Sequence, residues 1–271
     1  MARRLEGRTA IVTGAASGFG EATARRLHAE GANVVVADIN AEAAKGVAAS
    51  IGEGAIAVGV DVTVAAQVAG TVDVAVEEFG GLDIMVNNAG VIHAKMSVET
   101  IPEEEFDRIV SINLRGTFLG IKYATPALRR RGGGVILNTA SVGAIMPRMH
   151  TAAYSATKAA IITLTRSAAM DLAPQIRVNA VCPAASPTQF LVGSAGGDGA
   201  VYDAYVASMA VNAQQSIPLG RLAEPADVAA AFAFLASDDA AFITGIALTV
   251  DGGRSAGDST GRVGVAETTG E

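Results

Sequence analysis

Residues 9–38 read TAIVTGAASGFGEATARRLHAEGANVVVAD. Thr9 to Thr13 is a short apolar run ending in glycine, which predicts a buried strand. A helix from Glu21 to Glu30 follows, closed by Gly31, and Asn33 to Asp38 is a second apolar strand. Neither strand alternates polar with apolar residues, so both belong to a parallel sheet covered on its two faces. Between the first strand and the helix lie Gly14, Gly18 and Gly20, spaced G-x-x-x-G-x-G. A plain strand-to-helix turn needs one glycine. Three let backbone N–H groups approach a pyrophosphate at the helix N-terminus.

Asp38 closes the second strand about 20 residues past those glycines, where a carboxylate would accept hydrogen bonds from an adenosine ribose. It would repel a 2'-phosphate, and Ala15, Ala16, Ser17, Ile39 and Asn40 offer no cation. The stretch therefore favours NAD over NADP. Outward from it the pattern repeats. Helices are predicted over Ala41–Ile51, Val64–Phe79, Pro102–Arg131, Thr151 to about Pro174, and Ala226–Leu235. Strands are predicted over Ala55–Val60, Leu82–Asn87, Val135–Thr139, Arg177–Val181 and Ala247–Val250, with Ser186–Ser216 irregular. The fold class is α/β: a doubly wound parallel sheet of about seven strands flanked by helices.

The 271 residues are 50% hydrophobic with no Trp, enough for one large α/β domain. A net charge of -7 argues against nonspecific nucleic-acid binding. The single Cys182 excludes an intrachain disulfide, and His28, His93 and His150 lack metal-ligand spacing, so no metal is expected. Arg3, Arg4 and Arg8 leave no room for a signal-peptide apolar region. The apolar window Val228–Val250 is split by Asp238 and Asp239. A cytoplasmic protein with no membrane partner is expected. The polar, Gly/Thr-rich residues 254–271 read as a tail.

Chemistry is suggested by SVGAIMPRMHTAAYSATK, Ser141 to Lys158. In a helix capped near Thr151, Tyr154 and Lys158 share one face. A phenol titrates near 10 by itself, and an ammonium group beside it favours the phenolate. Such a pair can exchange protons with an alcohol or carbonyl oxygen, which Ser141 could also hydrogen-bond. Alone, Tyr-x-x-x-Lys is commonplace; the surrounding motifs give it weight.

Together these pieces resemble the short-chain dehydrogenase/reductase family, over Gly7 to Gly253. The motifs are TGAASGFG (Thr13–Gly20), DVT (Asp61–Thr63), NNAG (Asn87–Gly90), the asparagine of SINLRG (Asn113), Ser141, and Tyr154 with Lys158. The resemblance implies a single-domain Rossmann fold over 1–253, a lid at about 186–216, a tail at 254–271, and commonly a homotetramer. It implies Tyr154 as acid/base, Ser141 positioning the reacting oxygen, Lys158 binding the nicotinamide ribose and lowering the tyrosine pKa, and Asn113 holding a relay water. Its NAD surface would comprise Gly14, Ser17, Gly18, Phe19, Gly20, Asp38, Ile39, Asp61, Val62, Asn88, Ala89, Gly90, Tyr154, Lys158, Pro183, Ser186 and Thr188. This chain departs from the family's Pro-Gly after the sixth strand: Ala184 follows Pro183, and Ser186 replaces an aliphatic residue.

The substrate, a small molecule, would be lined by His93, Val142, Gly143, Met146, Met149, His150, Ala184 and Ala185, beneath a lid carrying Phe190 and Leu191. Between Arg177 and Arg221 there is no Lys or Arg. An anion site normally presents such a cation, so a neutral, fairly apolar secondary alcohol or its ketone is expected. Two rivals stand beside it: a 3-oxoacyl-carrier-protein reductase, for which Arg129–Arg131 could dock an acidic carrier, and a dinucleotide sensor without turnover.

Overall fold

The computed structural model describes residues 3–188 and 199–257. Seven strands form one sheet: β1 Thr9–Thr13, β2 Asn33–Asp38, β3 Ala55–Gly59, β4 Ile84–Asn87, β5 Gly134–Thr139, β6 Ile176–Pro183 and β7 Ala247–Val250. Their order is β3-β2-β1-β4-β5-β6-β7, and every pairing is parallel. The chain winds outward from β1 to β3, then restarts at β4 on the other side. The connections therefore diverge between β1 and β4 and leave a crevice at the carboxyl ends of the strands.

Strand periodicity explains how two apolar layers arise from unbroken apolar runs. Val12, Val34 and Val36 point to one face, where they meet Ala24 and Leu27 of α1 (Gly18–Ala29), Val47 of α2 (Ala41–Ile51) and Phe232. Ile11, Val35 and Ala37 point to the other face, against Val68 and Val72 of α3 (Ala65–Phe79) and Leu128. Each of these strand side chains is fully buried. That is why the sequence shows no polar alternation.

The predicted helix over Pro102–Arg131 is three segments. They are α4 Glu103–Ile109, a π-helical stretch Val110–Arg115 and α5 Gly116–Arg130, within which lies Pro126. After β5 come a short 3-10 turn at Val142–Ala144 and α6, Ala152–Leu172. The irregular stretch expected at Ser186–Ser216 is corrected at its second half, where Gly199–Ser216 forms α7. Its apolar residues are spread around the helix, and among residues 203–216 only Ala213 is buried. It therefore lacks the one-sided stripe by which sequence reveals a helix. Helix α8, Pro225–Ala236, starts with a capping box of Glu224 and Asp227 and packs on α1. Among the described residues no helix is long and apolar enough to cross a membrane.

Candidate active site

A cleft of about 1100 Å³ runs along the carboxyl ends of the central strands. Its first end is built by the glycine turn. Gly14 has φ +62, and a Cβ there would stand 2.8 Å from Ala89 Cα. A Cβ on Gly20 would stand 2.0 Å from Gly14 O. Only hydrogen in place of a side chain allows α1 to begin this close to β1 and β4. Thr13 and Asn88 lock the two strand ends together. Thr13 Oγ1 accepts from Asn88 N (3.0 Å) and Ala89 N (3.1 Å), and Asn88 Nδ2 donates to Thr13 O (2.9 Å). Gly14, Ser17, Gly18, Phe19, Asp38, Ile39, Asp61, Val62, Asn88, Ala89 and Gly90 all line the cleft, whereas Gly20 shapes the turn behind the wall. Asp38 Oδ2 accepts from Ala16 N (3.0 Å) and Oδ1 from Asn40 N (2.9 Å), so the carboxylate also clamps the turn. Asp61 Oδ1 accepts from Thr63 N (2.9 Å) and Thr63 Oγ1 (2.8 Å).

At the other end the cleft is lined by Ser141, Tyr154, Lys158, Pro183, Ala184, Ser186 and Thr188. Ser141 caps the 3-10 turn, its Oγ accepting from Gly143 N at 3.0 Å, and it also hydrogen-bonds the Tyr154 side chain. Tyr154 and Lys158 stand one turn apart on α6. Burial pushes the phenol above its ordinary range, opposed by the Ser141 hydrogen bond and the Arg148 charge. Burial also pulls the Lys158 ammonium down to about 8. The expected lowering of the phenol by Lys158 is therefore corrected. The ammonium lies 5.8 Å from the centre of the Tyr154 ring and donates to Thr139 O at 2.8 Å. It faces the ring and a carbonyl, and burial outweighs any charge assistance.

Asn113 is fully buried in the π-helical stretch. Its Oδ1 accepts from Val91 N (2.8 Å), and its Nδ2 donates to Val91 O (2.9 Å) and Thr157 Oγ1 (3.3 Å). The side-chain amide thus imitates a strand partner for the segment after NNAG. It lies behind the wall rather than on it.

Of the residues expected to contact substrate, His93, Val142, Gly143, Met149, His150, Ala184 and Ala185 line the cleft. Met146 does not. Its N–H turns back onto Val142 O (2.8 Å), ending the 3-10 turn and carrying the side chain off the wall. Phe190 and Leu191 lie outside the described residues. His93 Nδ1 sits 2.6 Å from Ala94 O, so it donates there, and the ring is buried. Sequence reasoning missed Lys95 and Arg108, which stand on the wall beside Arg148 and Tyr205. Arg148 and His150 are brought there by the loop before α6, in which His150 adopts φ +64.

A sequence model of the family described as enoyl-(acyl carrier protein) reductase matches residues 14–255. The 2,5-dichloro-2,5-cyclohexadiene-1,4-diol dehydrogenase of Sphingobium indicum is 41% identical over 263 residues, covering 95% of this chain and all of that one. The cis-4-hydroxycyclohexanecarboxylate dehydrogenase of Sinomonas cyclohexanicum is 42% identical over 253 residues, covering 92% and 97%. The crystal structure of a 3-ketoacyl-(acyl-carrier-protein) reductase from Brucella melitensis, complexed with NADH, superimposes with a TM-score of 0.84 at 43% identity, covering 93% and 99%. Glycine turn, Ser-Tyr-Lys cluster, strand order and relatives agree: the chain belongs to the short-chain dehydrogenase/reductase family and is an oxidoreductase of CH–OH groups.

Proposed function

We propose that this chain interconverts a secondary alcohol and its ketone with NAD(H), the alcohol having an apolar, alicyclic body. One observation carries the reading: Ser141, Tyr154 and Lys158 meet at one end of a single cleft whose other end is the glycine turn and Asp38. The residues present fit NAD. The cradle at Gly14 and Gly20 is one that a Cβ would fill, and Asp38 stands on the wall with no Lys or Arg in the adjoining turn. The solved relative was captured with NADH.

The bound nicotinamide supplies or takes the hydride. The chain manages the proton and the geometry. Tyr154 gives its phenolic proton to the oxygen of the ketone and recovers it from the alcohol. Ser141, already bonded to Tyr154, hydrogen-bonds the same oxygen and fixes its distance. Lys158, with an ammonium pulled to about 8, can exchange a proton near neutrality. Asn113 holds Val91 and so the loop that forms the facing wall. Ile92, Val142, Met149 and Ala185 give that wall its apolar character. The ring alcohols named for two relatives support a cyclic body.

The reading extends to a cytoplasmic homotetramer built on residues 1–253, with 186–216 as lid. Phe118 on α5 and Met170 on α6 are exposed apolar side chains that such an assembly would cover. Turnover is tested by NADH formation with cyclohexanol and other ring alcohols. Tyr154→Phe should abolish it while NADH still binds. Retention of more than about a tenth of the wild-type rate by Tyr154→Phe would remove tyrosine from the chemistry, since acid/base groups contribute some 10²–10⁴-fold. A second reading, 3-oxoacyl-carrier-protein reduction, is favoured by the solved relative. Arg129 and Arg130, exposed at the end of α5, are its docking candidates. Faster turnover of an acyl-carrier thioester than of the free ring ketone would establish it.

A further inference from the structure

We propose that Arg148 forms an anion subsite at the substrate end of the cleft, with Lys95 as its second cation, so that the preferred alcohol carries a carboxylate or sulfonate away from the carbinol. The inference rests on the proposed alcohol dehydrogenase reading and names its substrate class. Charge is distributed unevenly along the cleft. Among the described residues the only carboxylates on its wall are Asp38 and Asp61, both at the adenosine end, whereas Lys95, Arg108, Arg148 and Lys158 stand toward the Ser141–Tyr154 end. This concentration of cations runs against a chain whose net charge is -7.

Two of these cations are already engaged. Arg108 is held by both carboxylate oxygens of Glu105 at 2.7 and 2.8 Å, and Lys158 donates to Thr139 O. Arg148 is different. Among the described residues its guanidinium has neither a carboxylate nor a hydrogen-bonding partner. The charged group that acts on it is another arginine, Arg254, and the remaining influences are the Tyr154 and Tyr205 phenols. Arg254 is itself tied to Ser216 Oγ at 2.6 Å rather than to an acid. The Arg148 side chain is exposed to solvent, and the packing of the cleft around it pulls its guanidinium below its ordinary range. An exposed guanidinium on the cleft wall without an acid partner is free to take an anion that enters the cleft. Lys95, from the loop after β4, has its Nζ 5.5 Å from the centre of the Tyr205 ring. Arg148, Lys95 and Tyr205 thus come from three segments to one wall. A guanidinium fork plus one ammonium suits a monoanion.

The stretch between Arg177 and Arg221 holds no Lys or Arg. The cations arrive from residues 95 and 148. The test titrates cyclohexanecarboxylate and its isosteric amide, cyclohexanecarboxamide, into the enzyme–NADH complex, read by NADH fluorescence. Wild-type protein should prefer the carboxylate by about tenfold or more. Arg148→Gln should remove most of that preference, and Arg148→Lys should restore part of it. Equal wild-type affinity for the two ligands would overturn the proposal. So would an Arg148→Gln variant that weakens both ligands equally, which is the mark of a structural role. Inorganic phosphate displacing the carboxylate more strongly than acetate does would overturn the monoanion assignment. The two readings fail separately. An Arg148-dependent carboxylate preference without oxidation of any ring alcohol sinks the dehydrogenase reading alone, and oxidation of ring alcohols without that preference sinks the subsite alone.

Discussion

Replacing Lys158 by Met should make the stability of the cofactor-free protein less dependent on pH, in a direction the structure fixes. Lys158 is 2% exposed, and burial takes its ammonium from 10.5 to about 8. A lysine whose folded pKa lies below its unfolded value binds fewer protons in the fold. Its cost is therefore complete below pH 8, and stability is regained as pH rises from about 8 to 10.5. The full penalty is roughly 3 kcal/mol near neutrality, because each pH unit between the folded and unfolded values costs about 1.4 kcal/mol. Between pH 7 and 9 roughly 1 kcal/mol of it should be relieved. Methionine keeps the length of the side chain without the charge. It forfeits the bond to Thr139 O, an offset of about 1 kcal/mol that does not vary with pH. The assay is urea denaturation of both proteins at pH 7, 8 and 9, at one protein concentration so that the proposed assembly would weigh equally on both. Higher pH is avoided because burial raises the Cys182 thiol from 9.0 to about 11. Such a raised acid favours the fold only until the pH passes its unfolded value, so it works in the opposite direction there. The wild-type-minus-Met difference should move in favour of wild type across this range. A flat difference would refute a depressed lysine, and with it the role of Lys158 as a proton exchanger near neutrality.

Asp38→Ala should lower the NAD/NADP ratio of kcat/KM. It should also cost about 1–2 kcal/mol of stability, because Ala16 N and Asn40 N lose their acceptor; equal wild-type kcat/KM for the two cofactors would contradict the assignment. Gly14→Ala combines a left-handed φ of +62 with a Cβ 2.8 Å from Ala89 Cα, so NADH affinity measured by fluorescence should fall by about five- to 150-fold, the equivalent of the roughly 1–3 kcal/mol such strain costs. Asn113→Ala strips both backbone groups of Val91 of their partners and should cost about 2–4 kcal/mol in thermal unfolding, with kcat falling as the facing wall loosens. Unchanged melting would show that water replaces the amide at no cost.

Local rules made much of this protein legible. Unbroken runs such as NVVVAD mark strands buried on both faces, and β2 spans Asn33–Asp38 as read. Gly14 and Gly20 fix where the chain turns because a Cβ would collide there, and Gly18 because its φ of +57 is left-handed. Tyr154 and Lys158 share a face because both lie in one helix. Helix α7 escaped because no apolar stripe marks it and, among residues 203–216, only Ala213 is buried; the π-helical stretch escaped because no residue type announces it. What only the tertiary structure decided is which distant groups meet. Asn113 reaches Val91 across 22 positions and Lys158 reaches Thr139 across 19. Sequence placed an ammonium beside the phenol, but only burial fixes the balance of charge and desolvation that raises the phenol and lowers the amine. A cation count along one segment likewise could not see Lys95, because loops carry no periodicity and the direction of a loop side chain is set by what the fold packs around it.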